Sequence, residues 1–260
     1  MVDYFFHSQL TRGAVECALA ALLSFVVVLL VRRRGVNLLG ELPLAQLRGI
    51  AQILAVGAIL QWMLHGPQWA SLLVLAGMML AAASIVRRRA KRIPRAFTLA
   101  LMSICVGAGS VLAVMTALGV IPLKVAMLVP VGSMVIAMTM NMQSIFLDRL
   151  RGEIASHVGE IESALALGAS PDIALGRYLR AAYRASLIPS LDNVRSLGIV
   201  WIPGIMAGMV LSGASPVYAA LYQFVVLTTI FSAAALTCLV SSYLVTGRVF
   251  TVNEQLLLRG

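Results

Sequence analysis

The chain alternates between long apolar runs and short polar connections over most of its length. An α-helix needs about 20 consecutive apolar residues to cross the hydrocarbon core of a bilayer, and these runs have that length. The pattern therefore predicts seven membrane-spanning helices. We expect them at about residues 13–31, 44–64, 69–86, 97–119, 122–146, 188–211 and 217–246.

The composition supports a membrane protein. Of the 260 residues, 60% are hydrophobic and only 12% are charged, whereas an average soluble domain has about 25% charged residues. The expected fold class is all-α, a polytopic helical membrane protein with one transmembrane permease domain over residues 1–260. The length leaves no room for a second, soluble domain.

The basic residues are concentrated at alternate ends of the apolar runs. Lys and Arg number 20 against 10 Asp and Glu, and clusters at residues 32–34 and 87–92 follow the first and third runs. Basic connections stay in the cytoplasm. The N-terminus is therefore expected outside and the C-terminus inside, in a multi-pass protein of the inner (cytoplasmic) membrane. This clustering also argues against nucleic acid as a partner.

One connection, at about residues 148–187, is much longer than the others and is expected in the cytoplasm. Its apolar residues recur every three or four positions, which predicts an amphipathic helix. That apolar stripe consists of Ile154, Val158, Ile161, Leu165 and Gly168.

The stripe ends at a turn signal. Gly168 suits the end of one helix, and Ser170, Pro171 and Asp172 suit the start of the next. Serine caps a helix, proline fits its first position, and aspartate favours its positive end. The same tetrapeptide, Gly-Ala-Ser-Pro, recurs at residues 213–216 between the last two predicted spans. It is therefore a general connector and says little about function by itself.

Several residues inside the predicted spans are candidates for a transport pathway. The amides of Gln and the break that Pro-Gly should cause either serve helix packing or line a cavity, and both interpretations remain open. Methionine thioethers are soft metal ligands but also flexible core fillers, and their spread around the helix favours packing. The candidates are Gln52, Met134, Met138, Pro203, Gly204 and Gln223.

One ion pair and the three cysteines are expected to have structural roles. Asp192 and Arg195, three residues apart on a helix, should form a pair at one end of the sixth span. The three cysteines lie in separate apolar runs without metal-ligand spacing, which indicates small buried side chains rather than a disulfide or a zinc site.

The chain shows no means of hydrolysing ATP. Its only lysines are Lys91 and Lys124, and neither belongs to a Gly-Lys-Ser/Thr phosphate-binding loop. No catalytic motif is present either, so we expect a transport subunit without a cofactor of its own. If ATP drives it, ATP and Mg²⁺ are bound by a partner ATPase.

Within the long connection, Glu162-x-Ala164-x-x-x-Gly168 has the spacing of the EAA–G loop of ABC-transporter permeases. Three longer segments carry a wider resemblance: LRGIAQILAVGAIL from Leu47, ESALALGASPDIAL from Glu162, and AAYRASLIPSLDNVRSLGIVWIPGIMAGMVLSGASPVYAALYQF from Ala181. Together they resemble the Fet-type ABC exporter permease family, which includes bacterial iron-export permeases and plant aluminium-tolerance half-transporters.

This resemblance implies the permease subunit of an ABC exporter, expected to be a homodimer that works with a separate ATPase subunit. It implies iron or another metal ion as the substrate, with a sugar nucleotide as the alternative. A coupling helix would dock on the ATPase through Glu162, Ala164, Gly168, Ser170 and Pro171. Two hypotheses of a different class stay open beside it. One is an ATP-independent secondary transporter, which should show inverted repeats, and the second is a membrane-embedded enzyme.

Overall fold

The structure, a computed structural model, describes residues 9–35, 39–64, 67, 69–90 and 93–250. The described residues are overwhelmingly α-helical and divide into two compact units, Met1–Gly66 and Pro67–Gly260. The predicted positions of the two termini, together with Lys91 and Arg92 of the second basic cluster, lie outside the described residues. The all-α fold class is confirmed.

The first unit contains two helices, α1 (Gln9–Arg32) and α2 (Glu41–Leu64). The side-chain amide of Gln46 donates a hydrogen bond to the hydroxyl of Ser24 and so joins them. Most of their described side chains are exposed, among them large apolar ones such as Ile53. Exposed apolar faces of this size suit contact with lipid.

The second unit contains the other eight described helices. These are α3 (Ala70–Arg89), α4 (Ala96–Ile104), α5 (Ser110–Ala117), α6 (Val125–Ser156), α7 (Val158–Ala166), α8 (Pro171–Ser196), α9 (Gly204–Leu211) and α10 (Pro216–Val249). A π-helical turn, Cys105–Gly109, connects α4 directly to α5, so that the two continue as one helix. Such turns often occur at functional sites.

Six helical segments in the described part of the chain are long and apolar enough to cross a membrane. They are Thr11–Arg32, Glu41–Ile59, Ala70–Arg89, Ala96–Ala117, Val125–Ser156 and Pro216–Val249. Each overlaps one of the predicted spans. The chain is a membrane protein, whereas the count of seven spans and the orientation stay predictions.

The sixth predicted span, residues 188–211, is not one continuous helix. α8 ends at Ser196 and α9 begins only at Gly204, with an isolated bridge between Leu197 and Trp201 in the interval. The break that Pro203-Gly204 predicts is therefore present. It is longer than a simple kink because Gly198, at φ +75°, also turns the backbone away from the helical path.

α6 and α10 form the centre of the second unit. α6 packs against α3, α8 and α10, while α10 also packs against α4 and the π-helical turn. The closest approach is at Gly107, where a Cβ atom would lie 1.9 Å from Oγ1 of Thr237. Only glycine lets the π-helical turn lie this close to α10.

The predicted long connection is helical for most of its length. With 32 residues, α6 is roughly 48 Å long at 1.5 Å per residue, well beyond the ~30 Å of a bilayer core. Its charged residues begin at Asp148. We call residues 148–187 the stalk: the charged end of α6, then α7, the turn after it and the first part of α8.

Candidate functional site

A sharp turn joins α7 to α8 at the end of the stalk. Gly168 has φ +89°, its N–H donates to the carbonyl of Leu165 at 2.9 Å, and the N–H of Ala169 donates to the carbonyl of Ala164 at 3.0 Å. This pair of bonds is the Schellman ending, which requires a left-handed residue and so favours glycine. The helix end predicted at Gly168 is confirmed.

The start of α8 is only partly as predicted. Ser170 occupies the N-cap position and Pro171 the first turn, but the Ser170 hydroxyl makes no capping hydrogen bond. In the matching turn before α10, the Ser215 hydroxyl does accept a bond, from the N–H of Tyr218 at 3.2 Å. The Ser170 side chain is therefore available to other partners.

A cluster of polar and aromatic side chains connects α7 to α8. Oε2 of Glu160 accepts a hydrogen bond from the Tyr178 hydroxyl and pairs with Nη2 of Arg177, both at 3.0 Å. The Arg177 guanidinium also lies 4.8 Å from the centre of the Tyr178 ring, and the ring of His157 lies 5.0 Å from it. These contacts join α7 to α8 on the two sides of the turn.

The apolar residues of the stalk belong to the hydrophobic core of the second unit. Ile154, Ile161 and Leu175 are almost completely buried. The predicted apolar stripe is therefore buried or half-buried from Ile154 to Leu165, whereas its last residue, Gly168, is exposed, and two helices carry it rather than one. The chain bends at His157, whose φ of −129° ends α6 before α7 begins.

The turn presents two large apolar side chains outward. Leu167 is 90% exposed and Ile173 is 73% exposed, although neither lies in a candidate membrane span. Ser170 and Asp172, between them in sequence, are also exposed. We call residues 167–173 the tip. The sequence interpretation missed its apolar pair, and the available signal was a large aliphatic residue on each side of Gly-Ala-Ser-Pro.

The structure separates the predicted coupling residues into two groups. Gly168 and Ser170 are exposed at the tip, and Pro171 is half-buried beside them. Glu162 is half-buried on α7, and Ala164 packs against the chain's own core. The role of all five in coupling stays a prediction, but Ala164 lies partly inside the stalk rather than on its outer surface.

The predicted pathway residues also lie in different environments. Gln52 is exposed on α2, and Met134 and Met138 are half-buried against the core on α6. Pro203 is buried just before α9, whereas Gly204, the first residue of α9, is exposed. Their roles in transport stay predictions.

Gln223 differs from the rest of the pathway candidates because it is completely buried in α10. Neither its amide nitrogen nor its amide oxygen has a hydrogen-bond partner within the described part of the chain. An unsatisfied buried polar group costs ~1–3 kcal/mol. Gln223 therefore stays a candidate for the transport pathway.

A second polar site, which the sequence interpretation did not identify, lies between α6 and α10. We call Thr139, Gln143, Thr237 and Ser241 the polar seam; all four are completely buried. The amide nitrogen of Gln143 donates to the Ser241 hydroxyl at 2.7 Å. Oγ1 of Thr139, Oγ1 of Thr237 and Oε1 of Gln143 lack partners among the described residues. The seam thus contains three buried oxygen atoms that have no hydrogen-bond partner in the described part of the chain.

The seam lies beside the π-helical turn, because Gly107 contacts Thr237 directly. π-helical turns inside α-helices are found frequently at functional sites. In contrast, no group of three or more His, Cys, Asp or Glu side chains in the described ranges could hold a metal ion. The unpartnered polar groups of the seam are hydroxyl and amide oxygens of described residues.

Comparison with known proteins shows that the chain is similar to one family of membrane proteins. The family model described as "Uncharacterised protein family (UPF0014)" matches residues 14–250. The chain is 30% identical over 241 residues to "Probable iron export permease protein FetB" of Escherichia coli strain K12, covering 92% of this chain and 93% of that protein. No solved structure matches the chain.

Two further relatives come from distant organisms. "Protein ALUMINUM SENSITIVE 3" of Arabidopsis thaliana is 30% identical over 256 residues, covering 98% of this chain and 93% of that protein. "UPF0014 membrane protein YjkA" of Bacillus subtilis strain 168 is 33% identical over 221 residues, covering 83% of this chain and 87% of that protein. These matches confirm the resemblance to the Fet-type permeases.

Proposed function

Because the chain belongs to the UPF0014 family, we propose that it is the permease subunit of an ABC exporter that moves iron or another metal ion. The observation that carries this proposal is the match to a protein named as an iron export permease over almost the full length of both chains. The chain is a membrane permease. The ATPase partner and the metal substrate are the proposed parts.

The exposed apolar residues of the tip favour the docking of a soluble partner protein. Leu167 and Ile173 expose large apolar surfaces at the end of a charged stalk, where lipid would not cover them if the apolar part of α6 spans the bilayer. Exposed apolar side chains rimmed by polar ones are typical of protein interfaces. A groove on an ATPase subunit would bury this pair, while Ser170 and Asp172 would meet its polar rim.

The stalk is suited to transmit a push from the ATPase to the membrane. Glu160, Arg177 and Tyr178 hold α7 to α8, so a force on the tip moves both helices together. α6 continues from the stalk into the predicted span, and there it carries half of the polar seam. ATP-driven closure of two ATPase subunits would shift the stalks of two permease copies and open the pathway to the opposite side.

The polar seam and Gln223 are the proposed contact points for the cargo. Oxygen ligands suit hard metal ions, whereas the thioethers of Met134 and Met138 suit soft ones. Gln223 and Thr237 are fourteen residues apart on α10, or roughly 21 Å along the helix. Two such polar points along one helix would give an ion successive places to stop while it crosses the apolar layer.

The test is co-purification of the chain with the separately encoded ATPase. We expect the wild-type chain to retain the ATPase, and the Leu167→Asp/Ile173→Asp variant to lose at least about 90% of it. The physical reason is that two charges buried in an apolar groove without partners cost several kcal/mol. Ala181→Asp is the matched control, because Ala181 is exposed on α8 but lies outside the tip.

A wild-type chain that retains no ATPase would contradict the proposed function. Equal retention by the tip variant and the Ala181→Asp control would leave the ATPase as a partner but show that it docks elsewhere.

A further inference from the structure

A cavity of about 760 Å³ lies between the end of α3 and the start of α4, and Arg87, Arg88 and Arg95 line it. No carboxylate lines it within the described ranges, and none of the three arginines forms an ion pair with another described side chain. By contrast, Arg149 in the stalk pairs with Glu153 at 3.1 Å. The cavity is therefore positively charged, and no carboxylate among its described lining residues neutralises the three arginines.

The turn that forms this cavity is held in a specific conformation. Arg95 has φ +52° and ψ 36°, a left-handed conformation that is uncommon for residues other than glycine. Its carbonyl accepts a hydrogen bond of 2.7 Å from Nη1 of Arg248, in the last turn of α10. Strained backbone that the surrounding structure holds in place is often found at binding sites.

The cavity lies where two candidate membrane spans end. Arg87 and Arg88 are in the last turn of the segment Ala70–Arg89, and Ala70–Arg89 is followed by the segment Ala96–Ala117. The wall is partly apolar, because Ile93 is buried there and Phe97 is half-buried. The cavity thus combines guanidinium groups with an apolar wall at the level expected for lipid headgroups.

We propose that this cavity binds the phosphate of an anionic phospholipid headgroup. A guanidinium group presents paired N–H donors that match two phosphate oxygens, and the arginines supply the charge that a phosphodiester needs. The apolar wall formed by Ile93 and Phe97 accommodates the glycerol and the upper part of an acyl chain. A soluble phosphate would use the arginines alone.

The experiment is native mass spectrometry of the purified full-length chain in detergent, titrated with phosphatidylglycerol, phosphatidylcholine or glycerol 3-phosphate. We expect phosphatidylglycerol to bind at least about tenfold more tightly than either of the two remaining probes. Arg87→Gln/Arg88→Gln should weaken it roughly 10- to 30-fold, in line with the attraction of about two arginines to anionic lipid. Arg33→Gln/Arg34→Gln, which removes the same charge after another span, should change it less than about twofold.

Three results would overturn this inference. Equal weakening in both double variants would indicate general attraction to basic helix ends rather than a site. Equal affinity for phosphatidylcholine would remove the requirement for an anionic headgroup. Binding of glycerol 3-phosphate as tight as that of phosphatidylglycerol would assign the cavity to a soluble phosphate compound. Arg87→Lys/Arg88→Lys keeps the charge but removes the paired N–H donors of the guanidinium groups. This variant should weaken the binding of phosphatidylglycerol less than Arg87→Gln/Arg88→Gln does.

Discussion

The hydroxyl of Tyr178 lies 3.0 Å from Oε2 of Glu160 and donates a hydrogen bond to it across the turn of the stalk. Burial of the tyrosine and this hydrogen bond both raise the pKa of Tyr178, so the hydroxyl keeps its proton at neutral pH and remains a donor. The contact connects α7, which would receive the push of an ATPase, to α8.

Tyr178→Phe should loosen α7 without unfolding the chain. Because the Glu160 side chain is more than half exposed, we expect a modest loss of roughly 0.5–1.5 kcal/mol in local stability. Hydrogen exchange of the α7 amides should then become about two- to tenfold faster. Tyr243→Phe, at an exposed position on α10, is the control. Unchanged exchange in α7 would show that other contacts hold the two helices together.

The two Gly-Ala-Ser-Pro turns provide a matched pair. Gly168 and Gly213 have φ +89° and +92°, and a Cβ atom at either would meet no atom within 4 Å. The Cβ atom of a valine therefore has room at either position, and the left-handed backbone strains both variants by roughly 1–2 kcal/mol. Gly168→Val and Gly213→Val should lower the thermal midpoint equally, but only Gly168→Val should reduce ATP hydrolysis coupled to transport.

Equal effects of the two valine variants on coupled hydrolysis would contradict a special role for the tip. The thermal midpoints serve as the control, because they report the strain common to both turns.

Replacing the seam threonines by valine separates packing from transport. Thr139→Val and Thr237→Val keep the shape and remove hydroxyls that lack partners among the described residues, so stability should be unchanged or higher. If each hydroxyl lowers the free-energy barrier to passage of the ion by about 1.5 kcal/mol, the transport rate of each variant should fall roughly tenfold. Thr228→Val is the control, since that hydroxyl already bonds the carbonyl of Phe224. Unchanged transport in both seam variants would exclude the seam from the pathway.

Labelling of single cysteines tests the predicted orientation. In a variant without Cys17, Cys105 and Cys238, a membrane-impermeant thiol reagent should label Ser212→Cys in intact cells. It should label Arg89→Cys only after permeabilisation. Both positions are exposed, so accessibility within the fold does not decide the outcome. The opposite labelling pattern would reverse the orientation that the basic clusters predict.

The membrane helices could be predicted because their signal is local. Continuous apolar runs located α1, for example, within a few residues of its observed span Thr11–Arg32. The pair of Asp192 and Arg195 was predictable for the same reason, and the structure places their charged groups 3.6 Å apart. The end of α7 at Gly168 was predictable too, because adjacent residues in the sequence determine where a helix ends.

The candidate site was less predictable because it depends on contacts between distant residues. Glu160 meets Tyr178 only after the chain has turned back, and Gln143 meets Ser241 across 98 positions in sequence. A neutral polar residue in an apolar run gives no sign of which helix it faces. For the same reason the spacing around Ala164 suggested an outward surface, although its side chain packs partly inward.

Transport by the reconstituted complex tests the proposed function most directly. The permease and its ATPase would be placed in vesicles with iron on the ATPase side, and iron on the opposite side would be measured with and without ATP. We predict iron movement that requires both ATP and the ATPase and that is lost in the Leu167→Asp/Ile173→Asp variant. Iron movement without ATP, or ATP-driven movement of a sugar nucleotide while iron stays in place, would contradict the proposal.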